Sequence, residues 1–328
     1  MNNFRTVVSP GTVFQKMRIP DRILTIGSCF ADAIGSRMYS NRLRVLANPF
    51  GNLYNPLSIH KAIRYALFNE LPQNHTFLER EGIWLNYDFH SEVSDLNQHS
   101  LFTKLKDMAG TAHYHLAATE WLVITYGTAW VYERKETGEV VANCHKMPNV
   151  LFTKSLLSQS EITDSFAALY NELKKFNPAI KIILTLSPVR HIKDTLELNS
   201  VSKSLVRTAC HFIAESFGDV TYFPAYEIMM DDLRDYRFYK ADMIHPTEVA
   251  EDYIWEKFGE KYFSPDLKMF LSQWKEIQQA INHRPFHPSS VAHQSFLKET
   301  LKRLESLKEM VDVEDELALL KSRIEKND

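Results

Sequence analysis

Five short runs of uninterrupted apolar residues constrain this chain more than any other feature. They are "RILTI" (22–26), "RVLA" (44–47), "WLVITY" (121–126), "KIILTL" (181–186) and "VTYF" (220–223). A strand with one face in water alternates apolar and polar residues; a strand covered on both faces does not. Each run is too short for a helix, so the set predicts buried, mainly parallel strands. Helical patterns lie between them. "DSFAALYNELKKF" (164–176) spaces Phe166, Leu169, Tyr170 and Leu173 by three and four, with Asp164 as the expected cap. "SVSKSLVRTACHFIAESFG" (200–218) repeats the pattern through Val201, Leu205, Ala209, Phe212 and Ile213, with Gly218 as its stop. Strand and helix in alternation is the sequence form of a doubly wound α/β sheet.

Two regions fall outside that alternation. A helical insertion is expected over about 52–118, carrying "LSIHKAIRYALFN" and the loop "NYDFHSE". The main domain is expected to occupy 1–290, with a charged helical tail over 291–328. In the tail, Leu297, Leu301, Leu304 and Val311 form a helical stripe, which either docks on the domain or pairs with a second copy as a homodimer. A chain of 328 residues buries roughly three quarters of its unfolded surface, so it needs no disulfide staples. Its three cysteines, Cys29, Cys144 and Cys210, show no Cys-x-x-Cys and no metal-ligand spacing with histidine, so no metal is expected, and no organic cofactor is implied. A net charge of −3 supplies no basic field for nucleic acid. No stretch reaches the roughly 18 apolar residues of a membrane span, and "MNNFRTVVSPGTVFQKM" lacks the apolar core of a leader. The expected setting is cytoplasmic.

In doubly wound sheets the chemistry gathers beyond the carboxyl ends of the strands. Here the segments after the strands are "GSCFA", "NPFGNLYNP", "GTAWVY", "SPVRH" and a longer loop with "ADMIHP". Each carries small, polar or titratable residues, which points to an enzyme rather than a scaffold. The first holds two candidate nucleophiles, Ser28 and Cys29. The structural alternative for Ser28 is a helix cap. Asp242 and His245, three apart, let a carboxylate hold an imidazole in one tautomer; the alternative is a loop aspartate and a helix-start histidine. Arg190 and His191 after the fourth run, and His90 in the insertion loop, are candidate substrate contacts. Cys144 and His145 in "NCHK" are adjacent in an extended segment, so their side chains diverge and make a poor dyad.

Together these segments resemble the SGNH (GDSL-type) hydrolase superfamily, whose serine follows the first strand and whose Asp-x-x-His lies near the domain's C-terminal end. More narrowly, "GSCFADAIG", "NPFGNLYNP", "GTAWVY", "NCHKMP", "SPVRH" and "DMIHP" are similar to the GSCFA-domain family, over roughly residues 4–290. The resemblance implies a flavodoxin-like three-layer α/β/α fold with Ser28 as nucleophile, His245 as base and Asp242 as its orienting acid. It also implies an oxyanion hole from the N–H groups of Ser28 and Gly51. Two departures stand out. The superfamily's Gly-Asp-Ser is here Ile26-Gly27-Ser28, and "YGTAW" lacks the asparagine of its Gly-x-Asn block. Thr128 or Asn143 is the expected substitute donor.

The function expected on these grounds is serine-dependent hydrolysis of an acyl ester, O-acetyl or short-chain, on a small molecule or saccharide. An acyltransferase would share every catalytic residue. A non-catalytic binding module on the same fold is the third alternative, motivated by the missing asparagine.

Overall fold

A computed structural model describes residues 5–325. All five apolar runs are strands: β1 (Arg22–Gly27), β2 (Arg44–Ala47), β5 (Trp121–Tyr126), β9 (Lys181–Leu186) and β10 (Val220–Phe223), numbered among ten in chain order. They form one parallel sheet in the order β10-β9-β5-β1-β2. Relabelled one to five, that is the flavodoxin-like order 2-1-3-4-5. The chain leaves β1 toward one edge and later crosses to β5 on the other side, so the switch point lies between β1 and β5. All six residues of β5 and five of the six in β9 are buried, as continuous apolar character requires.

Alternate residues of these strands feed two cores. Leu24, Ile26, Leu122, Ile124 and Leu184 face a core shared with α2 (Pro56–Phe68), α3 (Gln98–Ala117), α4 (Gln159–Phe176) and α5 (Leu196–Ser216). Ile23, Val123 and Ile183 face the opposite core, with α1 (Cys29–Ser40) and α7 (Glu248–Tyr262). Between β10 and α7 the chain makes a short helix, α6 (Ala225–Glu227), that runs into a π-turn at Ile228–Leu233. The C-terminal helices α8 (Pro265–Asn282), α9 (Val291–Glu305) and α10 (Glu314–Glu325) extend the second core. Leu297 and Leu304 are buried there, and Leu301 and Val311 pack against it. The tail stripe therefore docks on its own chain.

Two expectations about helices need correction. Asp164 does not cap α4. The cap lies six residues earlier, at Ser158, which forms with Glu161 a capping box that satisfies two otherwise unpaired N–H groups. On α5 the buried stripe is Ser202, Val206, Ala209, Cys210 and Ile213, while Val201 and Phe212 are 46% and 49% exposed. Polar Ser202 and Lys203 disguise that face. The 52–118 region carries the expected helices within the crossover from β2 to β5. Its helices α2 and α3 cover the sheet, and between them lies an antiparallel hairpin, β3 (Phe77–Arg80) and β4 (Ile83–Asn86). A second small sheet, ordered β7-β6-β8, follows β5: β6 (Trp130–Arg134), β7 (Val140–Val141) and β8 (Phe152–Leu156). A minor core of Leu78, Leu85, Tyr87, Val141 and Phe152 joins the hairpin to that sheet.

Candidate active site

The site begins with a glycine. A Cβ on Gly27 would lie 2.1 Å from Thr125 O, and its φ of +138° suits only glycine. That close approach bends the end of β1 against β5 and launches α1. Asn48, itself left-handed at φ 45°, clamps the bend from β2: its Oδ1 accepts Gly27 N–H at 2.9 Å and its Nδ2 donates to Gly27 O at 3.2 Å.

Ser28 occupies the N-cap position of α1 without acting as a cap, for its side chain makes no cap hydrogen bond. The residue is 1% exposed, and its Oγ has no hydrogen-bond partner among the described residues. Cys29 is half-buried. Burial and the Asp32 carboxylate push its thiol up, and the Lys203 ammonium only partly offsets them. It therefore stays a thiol near neutral pH.

The loop after β10 presents the acid and the imidazole together. Asp242 Oδ2 meets His245 Nδ1 at 2.7 Å, while Asp242 Oδ1 accepts the N–H groups of Ile244 and His245 at 2.8 and 3.0 Å. The bonds from His245 and Ile244 hold the Asp242 carboxyl well below the usual carboxylate range. Met243 takes the left-handed conformation that closes this turn, at φ 58°. Arg190 N–H donates to Ile244 O at 3.3 Å and ties the loop to the segment after β9. No hydrogen bond joins His245 to Ser28, whose Oγ is unpaired.

The expected oxyanion donors are occupied. Ser28 N–H donates to Thr125 O at 3.1 Å, and Gly51 N–H donates to Asn48 O at 2.9 Å. Thr128 is committed elsewhere: its Oγ1 pairs with Ser202 Oγ at 2.8 Å and accepts Trp130 N–H at 3.1 Å, which ties the exit of β5 to α5. Asn143 uses its Oδ1 on His145 N–H at 2.8 Å, and its amide NH2 has no partner among the described residues.

The three expected substrate contacts separate. Arg190 forms no ion pair among the described residues; its guanidinium lies 4.0 Å from the centre of the Tyr239 ring. His191 packs edge-on against Tyr54 with centroids 5.7 Å apart. Burial and the Lys203 charge lower it to about 3, and its buried Nε2 has no partner among the described residues. His90 sits beside Gly51, its Nδ1 3.3 Å from Glu92 Oε1. Arg190 and His191 line a cavity of about 630 Å³ that also reaches Tyr54, Thr128, Asn143 and Ile244. His90 lies outside that lining.

Sequence reasoning missed Lys203. It is fully buried on α5, its Nζ donates to Ser187 O at 2.7 Å, and burial lowers its amine to about 7. Its charge acts on both Cys29 and His191, which places it under the floor of the site. A lysine inside a helical pattern reads as a solvated residue, so no local signal marks it. Among the described residues no group of three or more His, Cys, Asp and Glu side chains could hold a metal ion, and no helix is long and apolar enough to cross a membrane.

Residues 22–258 match the GSCFA family. The chain belongs to that family. Residues 274–326 match the C-terminal domain of GSCFA domain proteins, so the family's pattern takes in α9, α10 and half of α8. The first match spans Ser28, Asp242 and His245 together with the whole parallel sheet. No curated protein matches this GSCFA chain. Among solved structures it is similar to an acetyl xylan esterase (Est2A) from the rumen bacterium Butyrivibrio proteoclasticus. The identity is 10% and the TM-score 0.37, over 75% of this chain and 64% of that one.

Proposed function

We propose that this GSCFA protein is a serine-dependent hydrolase of acyl esters, with Ser28 as nucleophile, His245 as base and Asp242 as the residue that orients it. One observation carries the reading. At the switch point of the sheet, a buried Ser28 hydroxyl forgoes the cap bond its position offers and stays unpaired, while the neighbouring thiol is held protonated. The Asp242–His245 pair supplies a base whose Nδ1 hydrogen is already held, leaving Nε2 to accept a proton.

In the reaction, Ser28 Oγ bonds to the ester carbonyl carbon as its proton passes to His245 Nε2. The oxyanion is held by the N–H groups of Ser28 and Gly51, which first release Thr125 O and Asn48 O, and by the Asn143 amide. Collapse breaks the bond to the alcohol, which leaves with the proton from His245. Water then attacks the acyl-serine by the same route in reverse. Binding of substrate must draw His245 and Ser28 into hydrogen-bond distance, a tightening common to acid–base sites. The N–H groups already in use favour a second reading, a binding module without turnover.

Labelling by a fluorophosphonate probe and hydrolysis of short-chain aryl esters test the proposal. Wild type and Cys29→Ala should do both, and Ser28→Ala neither. A folded Ser28→Ala that still turns over sinks the serine mechanism, and an inert wild type leaves the binding module.

A further inference from the structure

The cavity beside the Asp242–His245 loop is uneven in charge. Its lining contains three cations, Lys146, Arg190 and Lys193, against one carboxylate, Asp194. Asp194 is already taken by Lys154. Arg190 is spent on the rings of Tyr239 and Tyr236. Lys146 and Lys193 have no carboxylate partner among the described residues. Both line the cavity from separate segments: Lys146 follows β7, and Lys193 sits in the turn before α5.

The Lys146 wall is held in a costly shape. His145 and Lys146 are consecutive left-handed residues, at φ 49° and 56°, and neither is a glycine. Four bonds fix that shape. His145 Nδ1 pairs with Ser91 Oγ at 2.9 Å and Nε2 with Asn86 O at 2.8 Å. Its N–H donates to Asn143 Oδ1 at 2.8 Å, and its carbonyl accepts from Arg80 at 2.7 Å. Strain over-determined in this way is a mark of function. Two further wall residues carry unsatisfied polar atoms, Trp130 Nε1 and His191 Nε2, both buried without a partner among the described residues. Such atoms are rare in native folds away from sites that complete them with a ligand.

We propose that this cavity receives the alcohol part of the ester, and that this part carries an anionic group held between Lys146 and Lys193. The inference rests on the serine-esterase reading for its catalytic side only. Lys193 lies 5.7 Å from the centre of the Tyr132 ring, and neither amine has a carboxylate partner among the described residues; two such amines lining one cavity raise the local concentration of anions, and charge-assisted bonds are stronger than neutral ones. A carboxylate and a phosphate share that chemistry.

Aryl acetates that differ only in the para group test this. The probes are 4-acetoxybenzoate, 4-acetoxyphenyl phosphate and the neutral isostere 4-acetoxybenzamide. In wild type, kcat/KM for one or both anionic esters should exceed that for the benzamide by about tenfold or more, a preference that falls as salt rises. The larger of the two ratios tells carboxylate from phosphate. Lys146 and Lys193 are both exposed, so Lys146→Ala/Lys193→Ala should melt with wild type while its ratio drops to within about twofold of one. A wild-type ratio of one or less, or a double variant that keeps the preference, overturns the inference. If no ester is hydrolysed, the esterase reading fails by itself. Calorimetry with 4-hydroxybenzoate and 4-hydroxyphenyl phosphate against 4-hydroxybenzamide then decides. Tighter anion binding that the double variant loses carries the anion site, and equal or absent binding sinks it.

Discussion

Lys203→Met should change how the stability of this protein depends on pH. The amine is 2% exposed, donates to one carbonyl and has no carboxylate partner among the described residues; burial holds it at about 7 against 10.5 for an ordinary lysine. The difference of 3.5 units is worth roughly 5 kcal/mol at 1.4 kcal/mol per unit. Below pH 7 both folded and unfolded chains carry the proton, and the whole cost of the buried charge is present. Between 7 and 10.5 the unfolded chain keeps a proton the folded chain has released, so stability rises with pH by about 1.4 kcal/mol per unit. Methionine fills similar space and cannot titrate. Loss of the bond to Ser187 O subtracts about 1 kcal/mol at every pH and leaves the slope alone. The advantage of the variant over wild type should therefore shrink by about 3 kcal/mol from pH 7.5 to pH 9.5. Urea unfolding of both proteins at the two pH values measures it. If the two curves move in parallel, within about 0.5 kcal/mol, Lys203 does not titrate in this window and the account of the site floor is wrong.

Two further outcomes follow from the local geometry. Asp242→Asn should lower kcat by about 100-fold or more with the melting temperature unchanged, because an amide cannot hold the Nδ1–H tautomer of His245 as a carboxylate does. Wild-type Asp242 is held below the usual carboxylate range, so its own protonation limits activity only in strong acid; an acid limb assigned to it above about pH 4 would contradict the hydrogen-bond pattern. Gly27→Ala should cost about 3 kcal/mol or more by urea unfolding, since the new Cβ meets backbone at 2.1 Å in a conformation closed to alanine. A loss below 1 kcal/mol would show that the end of β1 can relax away from β5.

What the sequence made legible follows from what is local. Continuous apolar runs bounded all five parallel strands within a residue, because burial on both faces leaves no polar position to confuse the pattern. The hairpin β3–β4 and the sheet β7-β6-β8 escaped notice, because strands of two to five residues such as "FLER" and "WVYER" mix charge with apolar side chains. Ser28, Asp242 and His245 were readable as strand-end residues. Their mutual state was not, since the bonds that occupy the N–H groups of Ser28 and Gly51 come from Thr125 and Asn48, neighbours only in the fold. Thr128 illustrates the same limit: its partner Ser202 lies on a helix 74 residues away. The tail stripe was visible in Leu297 and Leu304, but a stripe states that a face is covered and leaves open by what.

Ser28 itself offers the sharpest separation of a structural serine from a reactive one. A serine at an N-cap ordinarily accepts a bond from an N–H in the first turn, and replacing it by alanine loses about 1 kcal/mol. Here Ala31 N–H donates to the Ser28 carbonyl at 2.7 Å, and the buried hydroxyl has no partner among the described residues. An unsatisfied buried hydroxyl costs about 1–3 kcal/mol, so its removal should relieve the fold. Ser28→Ala is thus expected to be as stable as wild type, or more stable by about 1 kcal/mol, while losing all activity. Places where a sequence breaks a local rule with no structural return are where function is found. Urea unfolding of Ser28→Ala against wild type at pH 7.5 measures the difference. If the variant is weaker by 1 kcal/mol or more, the hydroxyl makes a structural bond, and Ser28 is a cap after all.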